Sequence, residues 1–349
     1  MADRPLPRHT LARETFTAIA RGRGGTRAVE VLRAGQLSKR ALLLKALHRD
    51  LAAPATVAAA APAAVARFDL AYRTAVGWQR TDPARWERLL LRPELDAWAA
   101  GCLRGLRAGE SVPLTGLAEF AGPGATAPGP VLEHAGRSWS PTLQDRGPHR
   151  DLYGHRPAGP LTTDETAAWT AELEAAWEIL VRRHPWYAEA VGATITTLVP
   201  LHPAADGSTV SSAARRAYGA VAASLPADPV LLALTLVHEF LHVRLGALMD
   251  LVPLHRPDSG ARFHAPWRPD PRPAGALLQG AYAHLGVADF WRTELAAGAD
   301  ADGRAGREFT LWRSHAAGAA RALAASAELT PLGGEFVAEM LAVLEDWNV

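Results

Sequence analysis

An apolar segment that begins at Asp228 and Pro229 and runs to about Met249 constrains the fold of this chain more than any other feature. Asp228 is a good N-cap residue and Pro229 suits the first helical position, so the segment is predicted to be a helix. Leucine and valine surround a polar trio at its centre. A polar group in such a helix needs partners or a metal ion to offset the loss of water. This trio is therefore the first candidate for a site.

The trio is His238, Glu239 and His242, in the sequence HEFLH. Four residues make slightly more than one helical turn, so the two imidazoles lie on one face and can bind one metal ion. Glu239 lies beside them and is the candidate catalytic residue, within reach of a metal-bound water or of a supporting position. A His-Glu-His set that faces solvent is the alternative interpretation.

Two imidazoles do not hold a metal ion tightly, so a third ligand is required. Leu245 and Leu248 stand where the longer metzincin motif needs Gly and His, which excludes that motif. His284 is preferred, because a second predicted helix packed on the first brings in a ligand rigidly. A core histidine bonded to the backbone is the alternative for it. The other candidates are His264, second among the imidazoles, the carboxylates Asp250 and Asp289, and His255, Asp258, Asp270 and Glu294.

Composition narrows the kind of metal site. The chain has 349 residues and one cysteine, Cys102, which excludes a disulfide framework and a cysteine-ligated zinc site. Any metal ion must therefore be held by histidines and carboxylates. With 37 basic and 36 acidic residues, no global field draws the chain toward nucleic acid or an anionic membrane, and neither is expected as a partner.

A proline-rich segment, PWRPDPRP at 266–273, separates the two helices. Alternating proline predicts an extended, polyproline-like path, a stiff arm that holds Arg268 and Arg272 near the metal-binding helix. Guanidinium groups on such an arm suit bidentate capture of a carboxylate. At least one of the two is expected to pair with Asp270 instead.

The remaining pattern predicts a mainly α fold, a helical-bundle-like metalloenzyme with little β-strand. Three helices are expected within about 30–106, the third beginning at Asp82 and Pro83. Thr162 and Glu165 form a capping box ahead of a helix that ends at Arg183. Residues 193–201 are predicted to form a strand and 211–224 a helix of small residues. Further helices are expected over 275–295, 307–325 and from 331 to the C-terminus.

Three regions are predicted along the chain. Residues 1–120 form an N-terminal helical region. Residues 121–160 are rich in Gly and Pro without any regular period, which is typical of a linker or an ordered loop layer. Residues 161–349 form the metal-binding catalytic domain.

The first residues, MADRPLPRHTLARETF, have charge and proline where a signal peptide needs an uninterrupted apolar core. A cytoplasmic protein is therefore expected. No run of about 18 apolar residues is free of charge, so no transmembrane helix is predicted.

HEFLH, PWRPDPRP and LLQGAYAHLGVADFW follow one another, with SSAARRAYGAV upstream and LTPLGGEFV downstream. This ordered set resembles the HExxH-domain family found in gene clusters for ribosomal peptide natural products, over about residues 160–349. Family members resemble 2-oxoglutarate-dependent peptide β-hydroxylases that act on ribosomally made precursor peptides. No radical SAM cysteine motif is present, so the resemblance implies a stand-alone form.

The resemblance implies Fe(II), 2-oxoglutarate and O2, a precursor peptide as substrate, and hydroxylation at Cβ of one of its residues. His238, His242 and His284 would then hold the metal ion, and Arg268 or Arg272 would bind the far carboxylate of 2-oxoglutarate. The third ligand is a departure from the usual non-haem iron set, which is two histidines and a carboxylate, because here it is the histidine His284.

Glu239 separates the two leading hypotheses. In a zinc metallopeptidase it would be the general base that polarises the zinc-bound water. An oxygenase needs no such base, and Glu239 would instead orient ligands. The arginine segment and the resemblance favour the oxygenase, with the zinc metallopeptidase as the alternative and an inactive peptide-binding scaffold as a third class.

Overall fold

A computed structural model describes residues 9–52, 61–122, 129–298 and 302–347. Of the described residues, 62% are helical and 7% are in strands, and the helices number 12. The predicted mainly α fold is confirmed. Residues 123–128 of the predicted linker lie outside the described ranges.

Six helices form the N-terminal part, and four of them cover the region where three were predicted. The third predicted helix is divided after Leu90, because Pro93 lacks an N–H and its ring clashes with the preceding turn. Pro93 instead occupies the first position of a new helix. The helices are α1 (Arg13–Ala20), α2 (Gly25–Leu51), α3 (Pro62–Thr81), α4 (Pro83–Leu90), α5 (Pro93–Arg107) and α6 (Gly116–Ala121).

Two small sheets follow. Strands β1 (Leu132–His134) and β2 (Arg137–Trp139) form an antiparallel hairpin. The second sheet has the order β3-β4-β6-β5, with β3, β4 and β6 parallel and β5 antiparallel to β6. Its strands are β3 (Thr142–Leu143), β4 (Thr197–Pro200), β5 (Ser211–Ser212) and β6 (Ala220–Ala223).

The sheet confirms one prediction and contradicts another. The strand predicted at 193–201 is present as β4, although residues 193 and 194 still belong to the preceding helix. The helix predicted at 211–224 is wrong, because this segment forms β5, a loop and β6. All four residues of β6 are buried and pair with β4, so its small side chains fit a crowded central strand rather than a helix.

Six further helices complete the fold, and their starts agree with the capping signals. The Thr162 hydroxyl accepts a bond from the Glu165 N–H while the Glu165 carboxylate accepts from the Thr162 N–H, as the capping box predicts. Asp228 caps the apolar helix by accepting a bond from the Val230 N–H at 2.9 Å. The helices are α7 (Thr163–Arg183), α8 (Pro185–Thr194), α9 (Pro229–Met249), α10 (Ala274–Ala296), α11 (Arg304–Ala324) and α12 (Pro331–Asp346).

Helix α9 lies at the centre of the main core, against α7 and α10. Of the described helices it alone is long and apolar enough to cross a membrane, but 67% of its most apolar stretch is buried inside the protein, as in a core helix. A Cβ at Gly286 of α10 would lie 2.0 Å from Leu241 Cδ1 of α9, so glycine permits this close approach. The two helices that carry the candidate ligands are thus packed directly together.

The N-terminal part contributes to two separate apolar clusters. Phe16, Ile19 and Leu32, from α1 and the first turns of α2, belong to the main core with α9 and α10. The rest of α2 and helices α3 to α6 form a second cluster around Trp98. The division of the chain at residue 160 stays a prediction, whereas the packing joins Phe16, Ile19 and Leu32 to the C-terminal core.

The proline-rich segment differs from its prediction. Phe263 and Arg272 exchange two backbone hydrogen bonds of 2.8 Å, and the Arg268 N–H donates to the Ala265 carbonyl at 3.1 Å. The segment is therefore a closed loop with a turn at its tip, not an extended arm. The fixed φ of proline suits turn positions as well as extended ones. Alternating proline therefore does not by itself distinguish an extended arm from a loop.

Candidate functional site

Three histidine rings meet where α9 and α10 pack together. His238 and His242 are one turn apart on α9, with ring centroids 4.8 Å apart. His284 of α10 has its ring centroid 5.1 Å from that of His238. The structure therefore brings together the three residues that the sequence singled out as metal ligands.

In two of these rings, the Nδ1 atom lies within hydrogen-bond distance of a protein oxygen. His284 Nδ1 is 2.8 Å from the Gly280 carbonyl oxygen, and His242 Nδ1 is 3.2 Å from Gln279 Oε1. An Nδ1–H that donates to an oxygen leaves the Nε2 lone pair free, which is how the protein sets the tautomer of a metal-binding histidine. Gln279 had no signal in the sequence apart from its place five residues before His284.

Two tryptophans enclose the ring of His284. Trp267 stacks on it at a centroid distance of 4.3 Å and Trp312 at 4.5 Å. Trp267 reaches it only because residue 280 is glycine, since a Cβ there would lie 2.3 Å from Trp267 Cζ2. The stacking fixes the plane of the ring and excludes water from both of its faces.

Burial keeps the imidazoles of His238 and His284 neutral. Loss of water lowers the pKa of His284 to about 3. Burial lowers the pKa of His238 well below its usual value, and the closeness of His242 and His284 makes a positive charge there still less favourable. A neutral imidazole presents a bare lone pair, which is the form that binds a metal ion.

The three histidines suit a metal ion in their chemistry, but their donor atoms are not yet positioned around one point. Within the described residues, no group of three or more His, Cys, Asp or Glu side chains has its donor atoms already placed to hold an ion. Binding by all three histidines therefore requires at least one ring to reorient. The three imidazoles, the neutral state of His238 and His284, and the Nδ1 partners of His242 and His284 nonetheless suit a histidine-ligated ion.

Glu239 does not face the space that the histidines line. Its side chain is 2% exposed, and Oε1 accepts a hydrogen bond from Ser211 Oγ of β5 at 2.6 Å. Oε2 is buried without a hydrogen-bond partner, and burial raises the pKa of this carboxyl. Glu239 Oε1 lies 3.9 Å from His238 Nε2, so the carboxylate is close to the histidines but enclosed behind them.

The carboxylates considered as ligands have other partners. Asp289 is the most buried of them, and its burial on its own raises the pKa, but two bonds from Arg23 and one from Arg292 outweigh this and lower it. Each candidate is engaged by basic side chains: Asp250 by Lys39 and Arg215, Asp289 by Arg23 and Arg292, and Glu294 by Arg183 and His184.

The remaining downstream candidates lie apart from the three histidines. His264 is exposed and does not line the cavity beside them. His255 and Asp258 line this cavity without a contact to the histidine rings, and Asp258 pairs with Arg262. Asp270 binds the two arginines of the proline-rich loop.

A cavity of about 610 Å³ opens beside the rings of His238, His242 and His284. Four arginines line it, and only two acidic residues do, Asp258 and Glu328. Glu239 is not among the lining residues. The arginines are Arg215 and Arg256, which sequence reasoning missed, and Arg268 and Arg272, which it proposed.

Arg268 and Arg272 both reach the cavity, but both pair with Asp270. Arg268 Nε lies 2.7 Å from Asp270 Oδ1, and Arg272 Nη1 lies 3.1 Å from Oδ2. The sequence predicted such a pair for at least one of them, and both form it. A ligand carboxylate at either guanidinium would have to compete with Asp270.

No family model matches the chain, and no curated protein matches it significantly in sequence. The functional interpretation therefore depends on the residues of the site.

Proposed function

We propose that this chain is an Fe(II)- and 2-oxoglutarate-dependent oxygenase, active in the cytoplasm, that hydroxylates Cβ of a residue in a ribosomally made precursor peptide. One observation carries the proposal. The cavity that three histidines share is lined by four arginines, whereas the Glu239 carboxylate does not line it. A dicarboxylate cosubstrate needs cations beside the metal site, and a peptidase needs its glutamate there instead.

His238, His242 and His284 would hold the metal ion on one side, leaving its other positions open to the cavity. When bound, iron and 2-oxoglutarate would supply an oxidation in which 2-oxoglutarate, O2 and a C–H group give succinate, CO2 and a C–OH group. The protein's own contribution is positioning. Gln279 and Gly280 orient two of the imidazoles, Trp267 and Trp312 keep water from His284, and the cavity arginines hold carboxylates.

The zinc metallopeptidase remains the second candidate, because the Glu239 carboxylate lies 3.9 Å from His238 Nε2. A general base must reach a water bound to the metal ion, and here Ser211 and the protein interior enclose the carboxylate. That enclosure is the reason for preferring the oxygenase.

Anaerobic reconstitution with Fe(II), followed by 2-oxoglutarate, O2 and the precursor peptide, tests the proposal. We expect the peptide to gain about 16 mass units, the mass of one oxygen, with one succinate formed for each product molecule. Omission of 2-oxoglutarate should abolish the change. Cleavage of the peptide that is supported by zinc and independent of 2-oxoglutarate would establish the peptidase instead.

A further inference from the structure

The four arginines of the cavity differ in how far their charge is already neutralised. Arg268 and Arg272 share Asp270, and Arg215 Nη2 lies 2.8 Å from Asp250 Oδ1. Arg256 has no carboxylate within 4.0 Å among the described residues. Its one side-chain bond runs from Nε to the Leu329 carbonyl at 3.3 Å. Both terminal nitrogens of its guanidinium are therefore available to a ligand.

The backbone around Arg256 is held in place by the segment 328–330. The Arg256 N–H donates to the Glu328 carbonyl at 2.7 Å, and His255 forms a β-bridge with Leu329. The Thr330 N–H donates to the Leu254 carbonyl at 3.1 Å. The guanidinium thus extends from an anchored loop, so a ligand need not order the loop when it binds.

The first turn of α10 forms the adjacent wall. Pro273, Ala274, Gly275 and Ala276 line the cavity, and the helix begins without a side-chain cap. The loop of Arg256 lies against this turn, since a Cβ at Gly275 would be 2.7 Å from His255 Nε2. The start of a helix favours negative charge, which adds to the effect of the guanidinium.

The spacing along α10 connects this corner to the histidines. Gly275 precedes Gln279 by one turn, about 6 Å along the helix axis, and Gln279 contacts His242. The two acidic residues of the cavity already have partners, because Asp258 pairs with Arg262 and Glu328 accepts a bond from Ser259 Oγ. A short dicarboxylate could therefore place one end at the histidines and the other at Arg256.

We propose that Arg256 is the residue that binds the far carboxylate of the 2-oxo dicarboxylate, and that Arg268 and Arg272 make the smaller contribution. This inference rests on the proposed function, since it names the residue that the cosubstrate contacts in the same cavity. The unpaired guanidinium can form two charge-assisted bonds to a carboxylate without displacing Asp270.

Equilibrium binding of 2-oxoglutarate to the anaerobic Fe(II)-loaded protein, measured by calorimetry, tests the inference. We expect Arg256→Ala to weaken binding by about ten- to a hundredfold, because two charge-assisted bonds are lost. Arg268→Ala and Arg272→Ala should each weaken it by about threefold or less, since Asp270 already neutralises them. Arg321→Ala removes an exposed arginine on α11 that pairs with Glu345, and serves as the matched control.

A second ligand separates loss of the carboxylate contact from general damage. 2-Oxobutyrate keeps the 2-oxo acid group and lacks the far carboxylate, so Arg256→Ala should bind it as the Arg321→Ala control does. Thermal unfolding of each variant checks that the fold is retained.

The outcomes are distinguishable. Wild-type protein that binds no 2-oxoglutarate overturns the proposed function together with this inference. Wild-type binding that Arg256→Ala leaves intact, or that Arg268→Ala or Arg272→Ala weakens more, overturns the assignment of Arg256 and leaves the proposed function standing. An equal loss of 2-oxoglutarate and 2-oxobutyrate binding in Arg256→Ala also overturns the assignment.

Discussion

Among the side chains of the candidate site, the sequence determines the placing of the two α9 histidines but not the direction of Glu239. The four-residue spacing of His238 and His242 puts both rings on one face of α9 whatever surrounds the helix. The direction of Glu239 is different, because it depends on β5, which brings Ser211 to its carboxylate. Motif spacing therefore predicted the histidine pair but could not predict that the glutamate turns from the cavity.

Replacement of Glu239 by Gln tests this difference. The amide oxygen can still accept the Ser211 bond, and the carboxylate does not line the cavity, so we expect Fe(II) binding and 2-oxoglutarate-dependent turnover within about threefold of wild type. A general base would behave otherwise, since its loss costs about a hundredfold or more. Metal content and succinate formation are the measurements.

Ser211→Ala is the companion variant. It removes the bond to Oε1 and leaves the carboxylate in place, so it reports on the positioning of Glu239 alone. A loss of turnover in Glu239→Gln that Ser211→Ala does not share would contradict the positioning role and favour the peptidase chemistry.

At the scale of elements, the long helices followed from local signals, whereas β5, β6 and the proline-rich loop did not. Helix α9 begins at its predicted cap, because the Asp228 side chain accepts a bond within the first turn and the fixed φ of Pro229 suits the first helical position. The segment 211–224 carried no comparable signal, and pairing of β6 with β4 decided its structure. The proline-rich loop was likewise decided by the Phe263–Arg272 pairing, which lies nine residues apart in sequence.

Helix α10 allows a test of how the elements hold the site. Gly280→Ala gains helix propensity, but its Cβ would lie 2.3 Å from Trp267, so the ring must move away from His284. We expect a net loss of stability of about 1–3 kcal/mol, as for other overpacked sites, together with weaker Fe(II) binding. Urea unfolding and metal titration measure the two effects.

Gly318→Ala on α11 is the matched control. Gly318 is exposed, and a Cβ there would have no neighbour within 4 Å, so the variant should gain about 0.5–1 kcal/mol from helix propensity alone. If Gly280→Ala were stabilised to the same extent, Trp267 could not be fixed by contact with α10 as described.

At the scale of the whole molecule, long-range packing explains which parts of the site the sequence could not predict. The site lies where α9 and α10 cross, and α1 and the start of α2 complete the same core although they are about 200 residues away in the chain. Such long-range packing leaves no local signal, which is why Arg215, Arg256, Trp267 and Trp312 were not recognised as parts of the site. The mainly α fold was predictable because composition, caps and helical periodicity all act locally.

The central claim is that His238, His242 and His284 together hold one metal ion. The most direct measurement is the iron content of protein reconstituted anaerobically with Fe(II) and then freed of unbound metal. We predict about one ion per chain in wild type and in the His264→Ala control, and loss of the ion in His238→Ala, His242→Ala and His284→Ala alike. Retention of a full complement of iron by His284→Ala would contradict the claim.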